Sequence, residues 1–207
     1  MAFTLPHGLR FYGATESCVQ YTTYDANNGD LFLYEGTDNS QDFMFNNLCI
    51  KNAGGYGIHL KKIGKITIED CVISNNGWNG QGLSTILAEA GGVLGYDSTE
   101  AALQSFYAGG NASDGGAMRI EEATRVSMLG NTFTKNLRGL RVQDCGVGGG
   151  GFITRNQCTQ NIDSGIYLAA GSTHYGCQNI TVTMNVTGYN ANNGLLAIGG
   201  INNKSPL

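Results

Sequence analysis

Short runs of alternating apolar and polar residues recur along this chain, each opened by a glycine. They read Gly8-Leu-Arg-Phe, Gly29-Asp-Leu-Phe-Leu, Gly57-Ile-His-Leu, Gly82-Leu-Ser-Thr-Ile, Gly116-Ala-Met-Arg-Ile, Gly139-Leu-Arg-Val, Gly165-Ile-Tyr-Leu and Gly194-Leu-Leu-Ala-Ile. The glycines are 21, 28, 25, 34, 23, 26 and 29 residues apart, about 27 on average. Period-two alternation predicts strands with one buried face. A second module lies between successive glycines, apolar-x-apolar-x-x-(Asn or Cys)-x-apolar-x-x-Asn. Its copies are Ile66, Ile68, Cys71, Ile73, Asn76; Val126, Met128, Asn131, Phe133, Asn136; Gly151, Ile153, Asn156, Cys158, Asn161; and Ile180, Val182, Asn185, Thr187, Asn190. A looser copy runs through Phe43, Phe45, Leu48 and Ile50, with Asn52 one place early.

Each of these strands is too short to bury its apolar face alone, so copies must stack on one another. Stacked parallel strands lie about 4.8 Å apart, so roughly eight coils of two or three strands span about 40 Å. The recurrent Asn falls where a strand bends into a turn. There it can take the left-handed conformation, hydrogen-bond its own backbone, and bond the amide above and below it. A β-sandwich would place turn signals every ~8–12 residues without this longer self-similarity. A leucine-rich repeat would show Leu columns and a helical half. The expectation is an all-β, right-handed parallel β-helix, one domain over residues 1–207, with an inserted loop at about 87–115.

Composition agrees with stacked coils. The chain has 32 glycines in 207 residues but two prolines, and 14% charged residues. The net charge of −4 leaves no basic stripe for phosphates, which argues against nucleic acid. No apolar run is long enough for a membrane-spanning helix. The start, Met1-Ala-Phe-Thr-Leu-Pro-His-Gly8, lacks the basic and apolar regions of a secretory signal, so synthesis in a cytoplasm is expected. Six cysteines without CxxC spacing argue against zinc, and buried reduced thiols are expected rather than a disulfide framework. No metal or other cofactor is expected. Sequons at Asn111, Asn179 and Asn185 arise readily in an Asn- and Thr-rich chain.

The segments GIHLKKIGKITIEDCVISNNG from Gly57 and GIYLAAGSTHYGCQNITVTMNVTGYN from Gly165 resemble coils of the pectin-lyase-like parallel β-helix superfamily, over nearly the whole chain from Gly8 to Ile201. The resemblance specifies the fold. Its members include polysaccharide lyases, glycoside hydrolases, uronate epimerases and phage tailspikes or other virion proteins, and fold alone does not choose among them.

If the first apolar residue after each glycine points inward, the next points outward. That column reads Arg10, Phe32, His59, Ser84, Arg119, Arg141 and Tyr167; the following one adds Tyr12, Tyr34, Lys61, Glu121 and Gln143. Interleaved aromatics and cations suit a glycan: rings stack on aromatics and carboxylates pair with Arg. A plain solvated sheet or a subunit interface accounts for the same residues. Trp78, in the turn Asn75-Asn-Gly-Trp-Asn-Gly80, offers a stacking platform or packs under the insertion, where Ser98–Tyr107 has the composition of a short capped helix.

Catalysis asks for more. Glycoside hydrolysis needs two carboxylates about 5–9.5 Å apart, and Glu121 and Asp144 on neighbouring coils are the pair to consider. By resemblance, a lyase would need an Arg or Lys base, for which Arg119, Arg141 and Lys61 are available, and usually calcium; no acidic cluster for calcium stands out on that face. The expected role is a virion or cell-surface assembly protein with possible glycan contact. The alternatives are a lyase or hydrolase acting on an acidic polysaccharide, and a carbohydrate-binding module without turnover. The terminal segments are thin caps for a solenoid, so a longer parent chain or covering partner subunits are expected. A homo-oligomer, trimeric by resemblance, or association with other virion subunits follows from the same reading.

Overall fold

The computed structural model describes residues 29–77, 115–170, 176–190 and 193–198 in full, and the backbone of short strands at 3–4, 10–12, 18–20 and 200–201. All pairing between its strands is parallel. The strands, numbered in chain order, form three stacked rows. The first row runs β1 (Phe3–Thr4), β4 (Phe32–Glu35), the first half of β7 (Tyr56–Glu69), the first half of β9 (Gly116–Leu129), β11 (Leu140–Gln143), β14 (Ile166–Ala169) and β17 (Leu195–Ile198). The second row runs β2 (Arg10–Tyr12), β5 (Phe43–Asn46), the second halves of β7 and β9, β12 (Gly151–Thr154) and β16 (Ile180–Thr183). The third row is β3 (Cys18–Gln20), β6 (Cys49–Lys51), β8 (Val72–Ser74), β10 (Thr132–Thr134) and β13 (Gln157–Thr159). A fourth, two-stranded contact joins β15 (Cys177–Gln178) to β18 (Gly200–Ile201). Among the described residues there is no helix.

The core is a set of columns down the inside of the coil. Ile58, Met118, Leu140 and Ile166 stack in the first row, Phe45, Ile68, Met128 and Ile153 in the second, and Ile50, Ile73, Phe133 and Cys158 in the third, all 0–1% exposed. Each such side chain contributes about 1.5–3 kcal/mol on burial. Toward the N-terminal side the interior is aromatic: Phe32 meets Phe45 edge-on with ring centroids at 5.5 Å, and Tyr34 meets Phe43 at 4.7 Å.

Two ladders of asparagine close the corners on either side of the third row. In one, the backbone N–H of Ala53 donates to Asn76 Oδ1 at 2.9 Å, and Asn76, Asn136, Asn161 and Asn190 follow in line. Asn76, Asn136 and Asn161 each donate both the backbone N–H and the side-chain Nδ2–H to the Oδ1 of the next, at 3.0–3.1 Å. The second ladder starts at the Cys71 N–H and passes through Asn131, Asn156 and Asn185 in the same way. The ladder residues do not themselves take the left-handed backbone expected of them. That conformation falls on the residue just before: Asn75, Lys135, Gln160 and Tyr189 in one ladder, and Asp70, Gly130, Arg155 and Met184 in the other, all with φ between 52° and 69°. The bend is one residue upstream, which leaves the Asn side chain pointing inward to serve the backbone of the preceding coil.

Among the described residues the first row holds seven strands. β7 and β9 are direct neighbours, with Tyr56 opposite Gly116 and Glu69 opposite Leu129, so no strand from the Gly82 repeat lies between them. Asn76 and Asn136 are adjacent ladder partners across 60 residues, where the later steps span 25 and 29. The described coils stop at Gly77 and resume at Gly115. A Cβ added to Gly115 would sit 2.8 Å from the Gly77 Cα, so the two ends of the excursion touch. The stretch between them, with Trp78, Ser84 and the Ser98–Tyr107 segment, lies outside the described residues.

The cysteines correct the sequence reading at one position. Cys71, Cys145, Cys158 and Cys177 are buried free thiols, but Cys49 is disulfide-bonded. Cys49 occupies an outward, half-buried position on β6, where its backbone pairs with that of Cys18 on β3. Backbone pairing of β3 with β6 makes these two segments neighbours, a proximity that the 31-residue separation conceals.

Candidate functional site

The outward face of the first row carries the chemistry. His59, Arg119, Arg141 and Tyr167 are in direct register on β7, β9, β11 and β14, and Lys61, Glu121 and Gln143 form the column beside them. Period-two pleating puts both columns on one face.

Four of the expected residues are elsewhere. Phe32 and Tyr34 face the core at 4% and 6% exposure, and Leu33 and Glu35 take the outward places opposite His59 and Lys61. Leu31, buried at 1%, fills the corner slot that Gly57 fills in the next coil, so alternation counted from Leu31 is shifted by one and every side chain changes face. Arg10 and Tyr12 are on β2, whose backbone pairs with Met44 and Asn46 of β5, so they belong to the second row and not to the His59 column.

His59 sits between two carboxylates from different coils. Its Nδ1 lies 2.7 Å from Asp30 Oδ2 and its Nε2 lies 3.0 Å from Glu121 Oε1. The second oxygen of Asp30 accepts the Tyr56 N–H at 2.6 Å, which fixes that carboxylate. Arg119 holds Glu121 from the other side, with Nε 2.9 Å from Oε1 and Nη2 donating to Oε2 at 3.1 Å. Burial pulls the imidazolium down, but hydrogen bonds to Asp30 and Glu121 outweigh it and hold the His59 pKa up at about 9. Burial likewise pushes the Glu121 carboxyl up; the His59 hydrogen bond and the Arg119 charge outweigh it and keep the group below its ordinary value. At neutral pH His59 is therefore held as the imidazolium and Glu121 as the carboxylate. Glu121 is poorly suited to donate a proton there.

Asp144 does not join Glu121. Gln143 is the residue opposite Glu121, and Asp144 turns away with φ 50°, buried at 3%, to accept the Gly176 N–H at 2.8 Å. The two-carboxylate arrangement for glycoside hydrolysis is not formed by this pair. Lys61 lies 3.1 Å from Glu35 at the edge of the face.

The next two coils open a cleft of about 200 Å³ lined by Arg138, Leu140, Arg141, Asp163, Ser164 and Tyr167. The Arg141 guanidinium carbon lies 5.6 Å from the centre of the Tyr167 ring, and its Nη1 reaches the Tyr56 hydroxyl at 3.5 Å. Arg138 Nε lies 3.2 Å from Asp163 Oδ2, and Ser164 Oγ donates to Asp163 Oδ1 at 3.3 Å. Arg138, Asp163 and Ser164 come from the corners before β11 and β14. Alternation within strands does not report on corners, so the sequence carries no signal for them, and the same holds for Asp30 ahead of β4. Among the described residues no group of three or more His, Cys, Asp or Glu is placed to hold a metal ion.

Compared with known proteins, residues 7–205 match the model of the right-handed β-helix region. No curated protein and no solved structure matches the chain. Among the described residues, parallel rows, inward aliphatic columns and corner ladders agree with that match. The chain belongs to the right-handed β-helix family, within the pectin-lyase-like superfamily.

Proposed function

We propose that this chain is a β-helical virion or cell-surface assembly protein that contacts an acidic glycan through the outward face of its first row, without turning it over. The observation that carries the reading is the cleft at Arg141 and Tyr167, where a guanidinium and an aromatic ring stand side by side on a rigid sheet. A carboxylate pairs with such an Arg through charge-assisted hydrogen bonds while a sugar ring lies on the Tyr. The absence of turnover is supported by Glu121, whose charge is already committed to His59 and Arg119. The disulfide at Cys49 supports a mature location in oxidising surroundings.

The test is binding of polygalacturonate, alginate and hyaluronate to the purified protein, with dextran as the neutral control, alongside an assay for unsaturated uronate products and reducing ends. Binding of at least one acidic polymer, weakened about tenfold or more in Arg141→Ala, with no product, is the expected result. Product formation overturns the non-catalytic part, and indifference to every acidic polymer overturns the reading.

A further inference from the structure

We infer that Cys145 and Cys177 form a latent disulfide site, closed by exchange with a small-molecule disulfide, that cross-links the coils of β11 and β14. The pair is set by register. The Gln178 N–H donates to the Cys145 carbonyl at 2.8 Å, as the Gly146 N–H donates to the Ala123 carbonyl at 2.8 Å. In a parallel ladder those bonds put Cys177 directly beside Cys145, and Cys145 directly beside Ala123. The three residues are 0–1% exposed. They stack in one buried column at the corner after the first row. Cα atoms one rung apart lie about 4.8 Å from each other, inside the roughly 4.4–6.8 Å that a disulfide spans.

The two sulfurs have matching surroundings, one coil apart. Cys145 Sγ lies 3.1 Å from the Gln143 carbonyl and 3.6 Å from the Ile120 carbonyl in the coil before. Cys177 Sγ lies 3.7 Å from the Ala169 carbonyl and 3.3 Å from the Val142 carbonyl, which belongs to the coil of Cys145. Cys177 is thus already aimed at its partner's coil, and closure asks the Cys145 side chain to turn from Ile120 toward it. The other two buried thiols have no cysteine beside them. The Val72 N–H donates to the Leu48 carbonyl and the Thr132 N–H to the Cys71 carbonyl, which sets Cys71 between Leu48 and Asn131, and Cys158 pairs with Phe133. In the reaction one thiolate attacks the small disulfide and releases one small thiol. The second thiolate then displaces the other. The two cysteines give up two protons and two electrons, and the small disulfide leaves as two thiols. Burial leaves little thiolate in the closed coil, so exchange runs while the corner is open. The chain already carries one disulfide, at Cys49.

The experiment starts from the full chain with these two thiols reduced. It is incubated with oxidised and reduced glutathione over a range of urea concentrations up to the unfolding midpoint, then returned to buffer. Material with the native circular dichroism spectrum is digested without reduction and mapped by mass spectrometry. Expected is a Cys145–Cys177 linked peptide in most chains, with Cys71 and Cys158 recovered as thiols. The linked chain should melt about 5 °C or more above the starting material, because a cross-link over 32 residues restricts the unfolded chain. Cys145→Ala, treated in the same way, should show no such rise. Cys145 and Cys177 recovered as thiols, stopped as glutathione adducts, or joined to Cys71 or Cys158 overturns the inference, and this mapping decides it even where the variant does not fold. A linked chain that melts no higher than the starting material overturns the cross-linking role.

Discussion

Asn136 gives its backbone N–H and its Nδ2–H to the same oxygen, Oδ1 of Asn161, at 3.1 Å each. Its own Oδ1 receives the same pair from Asn76 at 3.0 Å. Its Nδ2 also reaches the Ile73 and Thr134 carbonyls at 3.0 Å. One fully buried side chain thus satisfies backbone groups of two coils. Asn136→Ala leaves the Asn76 N–H and the Ile73 carbonyl without this partner, and each orphaned buried group costs about 1–3 kcal/mol. The expected loss is about 3 kcal/mol in denaturant unfolding, with Asn136→Asp at least as damaging, because a carboxylate would face the Ile73 carbonyl and Asn161 Oδ1. A loss below about 1 kcal/mol would mean that the ladder is not a stabilising element.

His59 makes stability fall on the alkaline side. Its folded pKa of about 9 lies above the unfolded value of 6.5, so its contribution is complete below about 6.5 and disappears as pH rises through about 9. Such a difference corresponds to an effect on the order of 3 kcal/mol. Unfolding free energies measured from pH 6 to pH 10 should drop for the native chain, and His59→Gln should flatten the drop while lowering stability at pH 6. An imidazole that titrates near 6.5 by NMR would refute the two-carboxylate clamp. Glu121, with its lowered pKa, acts at the other end of the scale: its contribution is present above the unfolded value and is lost as pH falls through the folded one.

Corner residues with a left-handed backbone are open to improvement. Tyr189 holds φ 57° at 88% exposure, and Met184 holds φ 55° at 75% exposure. That backbone costs an ordinary L residue about 1–2 kcal/mol, and Asn tolerates it better. Tyr189→Asn and Met184→Asn are each expected to raise stability by about 0.5–1 kcal/mol, read as a higher melting temperature. A fall in both would show that these side chains make contacts worth more than the strain.

The four buried thiols should be silent in the native state. Burial raises the pKa of Cys71 and Cys177 to about 11 and pushes Cys145 and Cys158 well above the ordinary thiol value, leaving little thiolate to react. A chromogenic disulfide reagent at pH 8 should modify none of these four in folded protein and all four in guanidinium. Rapid native labelling of Cys158, mapped by mass spectrometry, would contradict its core placement.

How much of this was legible depended on whether neighbours along the chain or neighbours up the stack set the outcome. The inward columns and the ladder from Asn76 to Asn190 could be read because the coil repeats its local pattern. His59, Arg141 and Tyr167 could be aligned because each follows a glycine by two residues, and Arg119, three after Gly116, because it too directly follows an inward apolar residue, Met118. Phe32 and Tyr34 were placed on the wrong face because Leu31 packs at the corner ahead of its strand, and one residue of phase reverses a pleat. Asp30, Arg138, Asp163 and Ser164 sit in corners, where side-chain direction follows from coil closure. Cys49 required knowing which coils are neighbours, which the sequence gives only after register is known.

Gly77 and Gly115 meet where the chain departs from the stack and returns, and the coils on either side pair without a gap. The pairing of β7 with β9 therefore asks only that the segment between them close back on itself, and closing a loop costs only about 0.6 kcal/mol for each doubling of its length. A short linker from Gly77 to Gly115, or a foreign domain whose termini lie close together, is therefore expected to be accepted between these two glycines while β7 and β9 keep their registration.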